Sequence, residues 1–260
     1  MLAYAHPLDI PTLKKLLTAS LNSAKSTNPT VRTNASALFK VLVSKFPTEF
    51  LDTAVSEVLT LPLTGRTTGV DHRITLYTML TIFPKHNAAS MTLVNALPTL
   101  VIKETNDVAI SLLVRALPTH LNHLLTHNTP IPVDVTSLVA KEMNSAKPIM
   151  KRAFVNIVGT ALWDLDAVSD PINDATKAFA KAISSAFEGS IKTVSANPLS
   201  TAAGPLEGYV ALAILLSRLV ASNVFGTSFR LSHVRSVTHR LIHSIVNAGM
   251  CFILNSHFYR

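Results

Sequence analysis

The sequence predicts an all-α chain in which pairs of helices repeat at a regular interval. Three observations predict it. The stretch Asn28-Pro29-Thr30-Val31-Arg32 opens like a helix, with a capping Asn and a Pro at the first helical position, where its missing amide would be unpaired anyway. Ala35 and Leu38 then continue an apolar side, with Arg32 at its edge. Similar starts recur at Asp71-His72, Asn106-Asp107 and Lys147-Pro148, at gaps of 43, 35 and 41 residues. Composition agrees: 48% of residues are apolar and only 8 of 260 are Gly, which favours packed helices over a turn-rich sheet.

Gaps of this size match the roughly 40–47 residues of HEAT and armadillo repeats, whose units are helical pairs. Shifting the sequence by 119 residues pairs Pro29 with Pro148, Val31 with Met150, Arg32 with Lys151, Leu38 with Ile157 and Phe39 with Val158. Each pairing keeps its chemical type. The starts above are second helices, and first helices fit between them. Asp9 caps one carrying Ile10, Leu13, Leu16, Leu17 and Leu21 at three- and four-residue spacing. Pro47 opens the next, with Phe50, Leu51, Val55, Val58 and Leu59 inward. Ser90 opens a third, Asp134 caps a fourth, and Pro171 begins a fifth through Ala178, Phe179, Ile183 and Phe187. Pro118 falls inside the helix that starts at Asn106 and is expected to kink it. After a linker at 189–204, a strongly apolar helix covers 206–222. The expected architecture is a HEAT/armadillo-type right-handed superhelix of about five pairs over residues 1–222. An irregular, divergent tail follows at 223–260.

The tail is set apart by charge. Residues 1–130 carry 11 Lys/Arg against 7 Asp/Glu, and residues 131–222 carry 8 of each. Residues 223–260 carry four Arg, no acid and four of the ten His. The sequence ends without a polar capping repeat, which solenoids need. The expectation is a chain that is the front part of a longer protein, or whose end is wrongly assigned. A net charge of +8 permits an RNA-rich or acidic partner. The single Cys251 excludes a disulfide framework. No basic-then-apolar leader opens the sequence, and the best membrane candidate, 209–220, is too short and contains Arg218. A cytoplasmic protein with no membrane and no DNA partner is expected.

Two blocks carry a resemblance to a known family. One is the opening repeat from Asp9-Ile10-Pro11 to Lys45-Phe46. The other is Thr64-Gly65-Arg66-Thr67-Thr68-Gly69-Val70-Asp71-His72-Arg73 with the apolar helix after it. Over residues 1–222 the chain resembles the N-terminal region of the general-control translational activator, of the fungal type. That family consists of HEAT-repeat proteins that bind ribosomes and activate the initiation-factor-2 alpha kinase in the amino-acid-starvation response. The resemblance implies a non-enzymatic scaffold whose partner is the ribosome, both rRNA and ribosomal proteins. An ABC-type ATPase and the kinase are partners of the full-length family, but the regions that bind them have no counterpart in this chain. The tail after Asn223 matches nothing in that pattern. The alternative is a generic HEAT adaptor, a transport or trafficking scaffold that binds a protein helix or peptide.

Candidate chemistry is sparse. Gly65-Arg66-Thr67-Thr68-Gly69 is not a phosphate loop, because its glycines are too close, no Lys-Ser/Thr follows and no strand precedes it. As an inter-helix turn it could meet RNA phosphate through Arg66, His72 and Arg73. With Lys147, Lys151 and Arg152 at the later repeat start, these are the candidate ribosome-contacting residues. The competing reading is a scatter of solvated cations. His120, His123 and His127 could share one helix face, but no Cys is near, so exposed polar histidines are expected rather than a zinc site. Cys251 in its apolar run is expected to be unreactive. The sequence predicts no catalytic residue, no cofactor and no metal.

Overall fold

The computed structural model of the protein describes residues 9–61, 68–163, 173–183 and 186. Among these residues every regular element is a helix. The helices are α1 (Ile10–Ser23), α2 (Pro29–Val43), α3 (Thr48–Leu59), α4 (Val70–Leu80), α5 (Asn87–Lys103), α6 (Asp107–Thr126), α7 (Val133–Met143) and α8 (Pro148–Trp163). A ninth, α9, covers 174–183. The four predicted second-helix starts are the starts of α2, α4, α6 and α8, to within a residue or two. Helices α1, α3, α5 and α7 are their first-helix partners.

The chain forms two compact units, Met1–Leu124 and Leu125–Arg260. In the first, α1 packs on α2 and α3 on α4. Second helix α2 lies against second helix α4, and first helix α3 lies against α1 and α5. This HEAT-like stacking buries Leu13, Leu17, Phe39, Val55, Leu76, Leu93 and Leu97 almost completely. Phe39 meets Phe83 edge-on at 5.5 Å between ring centroids. Buried Ser20 donates to the Ala35 carbonyl (3.0 Å), tying α1 to α2 through a polar group that would otherwise be stranded. In the second unit α7 packs on α8. There α9 is anchored on the turn after α6: Asn173 Nδ2 donates to the Leu125 carbonyl (2.6 Å), and Asn128 Oδ1 accepts the Ala175 amide (3.0 Å). Asn128 itself has φ 53°, the left-handed state that Asn tolerates after a helix end.

Several local expectations are corrected. Ser90 does not open α5, which begins at Asn87; Ser90 is buried one turn in and bonds His120. Asp9 holds the N-cap position of α1 without a side-chain cap bond, and Asp134 sits in the first turn of α7 behind Pro132. Pro118 does fall inside α6, as expected. The α6 helix, rather than 209–220, is the described segment long and apolar enough to cross a membrane. More than half of it is buried inside the protein, so its apolar character is accounted for as a core helix. The start at Pro171, Cys251, the linker at 189–204, the helix at 206–222 and the tail lie outside the described residues.

Candidate functional site

The second helices share a register that organises their first turns. Counting from the first residue of each, position four is Arg32 in α2, Arg73 in α4, Ile110 in α6 and Lys151 in α8. A cation there stands over the turn that enters the helix and can reach backward or forward. Arg32 does both. Its Nη1 donates to the carbonyls of Ser26 and Thr27 (3.0 and 2.9 Å), and its Nη2 pairs with Asp71 of α4 at 3.1 Å.

Arg73 is enclosed. Its Nε and Nη2 grip both carboxylate oxygens of Glu104 at 2.7 and 2.9 Å, and Nη1 donates to the Thr68 carbonyl. Tyr77 donates its hydroxyl to Glu104 Oε2 (3.1 Å), and the amides of Thr105 and Asn106 donate to Oε1. Arg73 and Glu104 side chains are only 9% and 1% exposed. Burial pushes the Glu104 carboxyl up, but the Arg73 bond, the two amides and the Tyr77 hydroxyl overcome it and bring it down to about 2. The Glu104 bond in turn raises the Arg73 guanidinium, and burial raises the Tyr77 phenol. Arg73 is therefore not placed to meet phosphate: each of its three nitrogens donates to the protein, and its side chain is buried.

His72 is half-buried. Burial, and then the neighbouring cations Lys25 and Arg32, push its imidazole towards the neutral form, so it brings no charge to an anion at neutral pH. Its Nε2 is buried with no hydrogen-bond partner among the described residues. Arg66 lies outside the described residues. The three later candidates lie at the start of α8. Lys147 is exposed just before α8, Lys151 is half-buried at position four, and Arg152 is exposed beside it. Burial lowers the Lys151 ammonium, while the Lys147 carbonyl accepts the Lys151 amide (3.0 Å) and so fixes their spacing on the turn. The first turn of α8 contains no acid. The positive end of the helix dipole adds to these charges, so this corner favours anions.

The expected exposure of His120 is overturned. It is 2% exposed, its Nδ1 shares a 3.0 Å hydrogen bond with the Ser90 hydroxyl, and burial, then His123 and Lys85, hold its imidazole down to about 4. It occupies position fourteen of α6, where α2 and α8 place Leu42 and Ala161 in the core. Among the described residues no three His, Cys, Asp or Glu side chains gather as metal ligands. Sequence reasoning missed Glu104 as the partner of Arg73. The available signal was an acid just before the Asn106 cap, one repeat after Arg73.

The family description for the N-terminal region of general control nonderepressible 1 (Gcn1) matches residues 70–259. The chain belongs to the Gcn1 N-terminal family. No curated protein and no solved structure matches it. The Gcn1 match takes in α4 to α8 and also residues 223–259, so the stretch set apart above on charge and histidine content lies within the family region. Residues 1–69, with the opening repeat, lie outside the matched range. Membership of the Gcn1 family gives the chain a Gcn1-related role: a regulatory, scaffold-type part in translation, alongside the translation machinery.

Proposed function

We propose that this chain is a non-enzymatic cytoplasmic scaffold that contributes to ribosome binding, and through it to activation of the initiation-factor-2 alpha kinase during amino-acid starvation. The Gcn1 family match over residues 70–259 carries this reading. The start of α8 supplies the contact: Lys147, Lys151 and Arg152 face rRNA phosphate, with the helix dipole behind them. Arg66 is retained as a further contact; Arg73 is not.

Cosedimentation of the full chain with ribosomes tests it. Pelleting at low salt should fall steeply as salt rises, because each neutralised phosphate releases counterions. Lys147→Glu with Arg152→Glu should reduce pelleting several-fold at fixed salt, with an unchanged circular-dichroism spectrum, since both side chains are exposed. A wild-type chain that stays in the supernatant at low salt, or a charge-reversed one that pellets equally, would remove the reading. Salt-resistant binding would favour the protein-binding adaptor instead.

A further inference from the structure

The position-ten residue of the second helices is buried three times out of four. Met79 in α4 and Ile157 in α8 are 0% exposed and Ala116 in α6 is 4%, but Leu38 in α2 is 38% exposed. Val31, at position three, is also exposed, whereas of its register mates Ala109 and Met150 are buried and His72 is half-buried. Val41 is 53% exposed. Val31, Asn34, Leu38 and Val41 recur at intervals of three and four residues, which puts them in one line along a single face. This is the seam of a helix that expects another helix, with one Asn of the kind that sets register in such seams. α1 and α4 pack on other sides of α2 and leave this line uncovered.

Charge identifies what fits. Residues 10–46 hold Lys14, Lys15, Lys25, Arg32, Lys40 and Lys45 and no Asp or Glu at all. Lys40 and Lys45 are exposed beside the line. A second copy of the same face would set these lysines against each other, and RNA would leave the aliphatic line unmatched. We propose that the open face of α2 is a docking surface for an amphipathic helix of a partner protein. Leucine-type residues of that helix would cover Val31, Leu38 and Val41, and its glutamates or aspartates would flank Lys40 and Lys45.

The test uses the full chain and a labelled synthetic peptide of about three heptads with Leu at a and d and Glu at e and g. Fluorescence anisotropy should show binding, with a scrambled peptide of the same composition at least about tenfold weaker. Leu38→Asp and Val41→Asp should each weaken binding about tenfold or more, as expected when a central anchor is lost. Lys40→Glu with Lys45→Glu should weaken it by a smaller factor that shrinks as salt is added. Val41 is exposed enough for its variant to fold even if Leu38→Asp does not. Undetectable binding, equal binding by the Asp variants, or equal binding of the scrambled peptide would overturn the proposal. So would a wild-type dimer that Leu38→Asp dissolves, or an RNA oligonucleotide whose binding the Asp variants weaken as much as the peptide's.

Discussion

The first turns of α4 and α8 carry a cation at the same register position and put it to opposite uses. Arg73 is clamped by Glu104 and shut inside the first unit, whereas Lys151 keeps company with exposed Lys147 and Arg152. Within the turns the difference is Asp71 in α4, which pairs with Arg32 rather than Arg73; otherwise both read as a basic residue at position four of an apolar helix. What differs beyond them is an acid 31 residues further on, brought back by the repeat. The comparison teaches that in a helical repeat the role of an edge cation is decided by the next unit. A charged repeat edge is therefore closed to a ligand where that unit buries it against an acid, as at Arg73.

The strongest way to break the comparison is to remove the acid. Glu104→Gln leaves Arg73 buried without its counter-charge, and such a lone buried ion costs about 3–5 kcal/mol of stability. Urea unfolding should show the loss, while Arg73→Met with Glu104→Leu together should recover most of it, since the isolated charge is gone. A Glu104→Gln variant as stable as wild type would mean that Arg73 is not held as described. Acid works on the same pair. The folded Glu104 carboxyl lies near 2, below its ordinary 4.5, so its contribution is complete above pH 4.5 and fades between 4.5 and 2.

His120 acts in a separate, higher window. Its folded value is about 4 against 6.5 for a free imidazole, so the unfolded chain takes up the proton first as pH falls. Stability should drop by about 3 kcal/mol between pH 6.5 and 4, since each step of one pKa is worth about 1.4 kcal/mol. His120→Leu puts at position fourteen what α2 already has there in Leu42, and it should flatten that slope. Denaturant midpoints at pH 7 and pH 4.5 measure it. An undiminished slope would assign the window to other groups, with His123 the first to examine.

Much of the fold was legible because its signals are local. Asn28-Pro29, Asn106-Asp107 and Lys147-Pro148 mark helix starts by capping chemistry that acts within one turn, and their spacing supplies the repeat. Ser90 and His120 were misread because a polar residue at three- and four-residue spacing looks the same on an outer face as on an inner one. Here the two bury each other's polarity across α5 and α6. The candidate site was half legible. Lys147, Lys151 and Arg152 share one helix start because they are near neighbours in sequence, but the burial of Arg73 depends on a contact between repeats that no local pattern encodes. Likewise, nothing in α2 alone shows that Leu38 stays open while Met79 and Ile157 are covered.

The smallest effect sharpens the comparison at the helix starts themselves. α2 is capped: Asn28 Oδ1 accepts the Thr30 amide at 2.9 Å, and Asn28→Ala should cost about 1 kcal/mol. α4 begins instead at Gly69, which has no side chain to cap it. The Gly69 backbone is already extended, at φ −58° and ψ 148°, and a Cβ there would meet nothing within 4 Å. Gly69→Asn can therefore adopt the native conformation, supply a cap oxygen and restrict the unfolded chain. It should stabilise the protein by about 0.5 kcal/mol. A small rise in urea midpoint at constant slope would confirm it. A fall would show that the first turn of α4 is held by the Arg73–Glu104 clamp in a geometry that a capped start disturbs, leaving the clamp rather than the cap as what fixes where this helix begins.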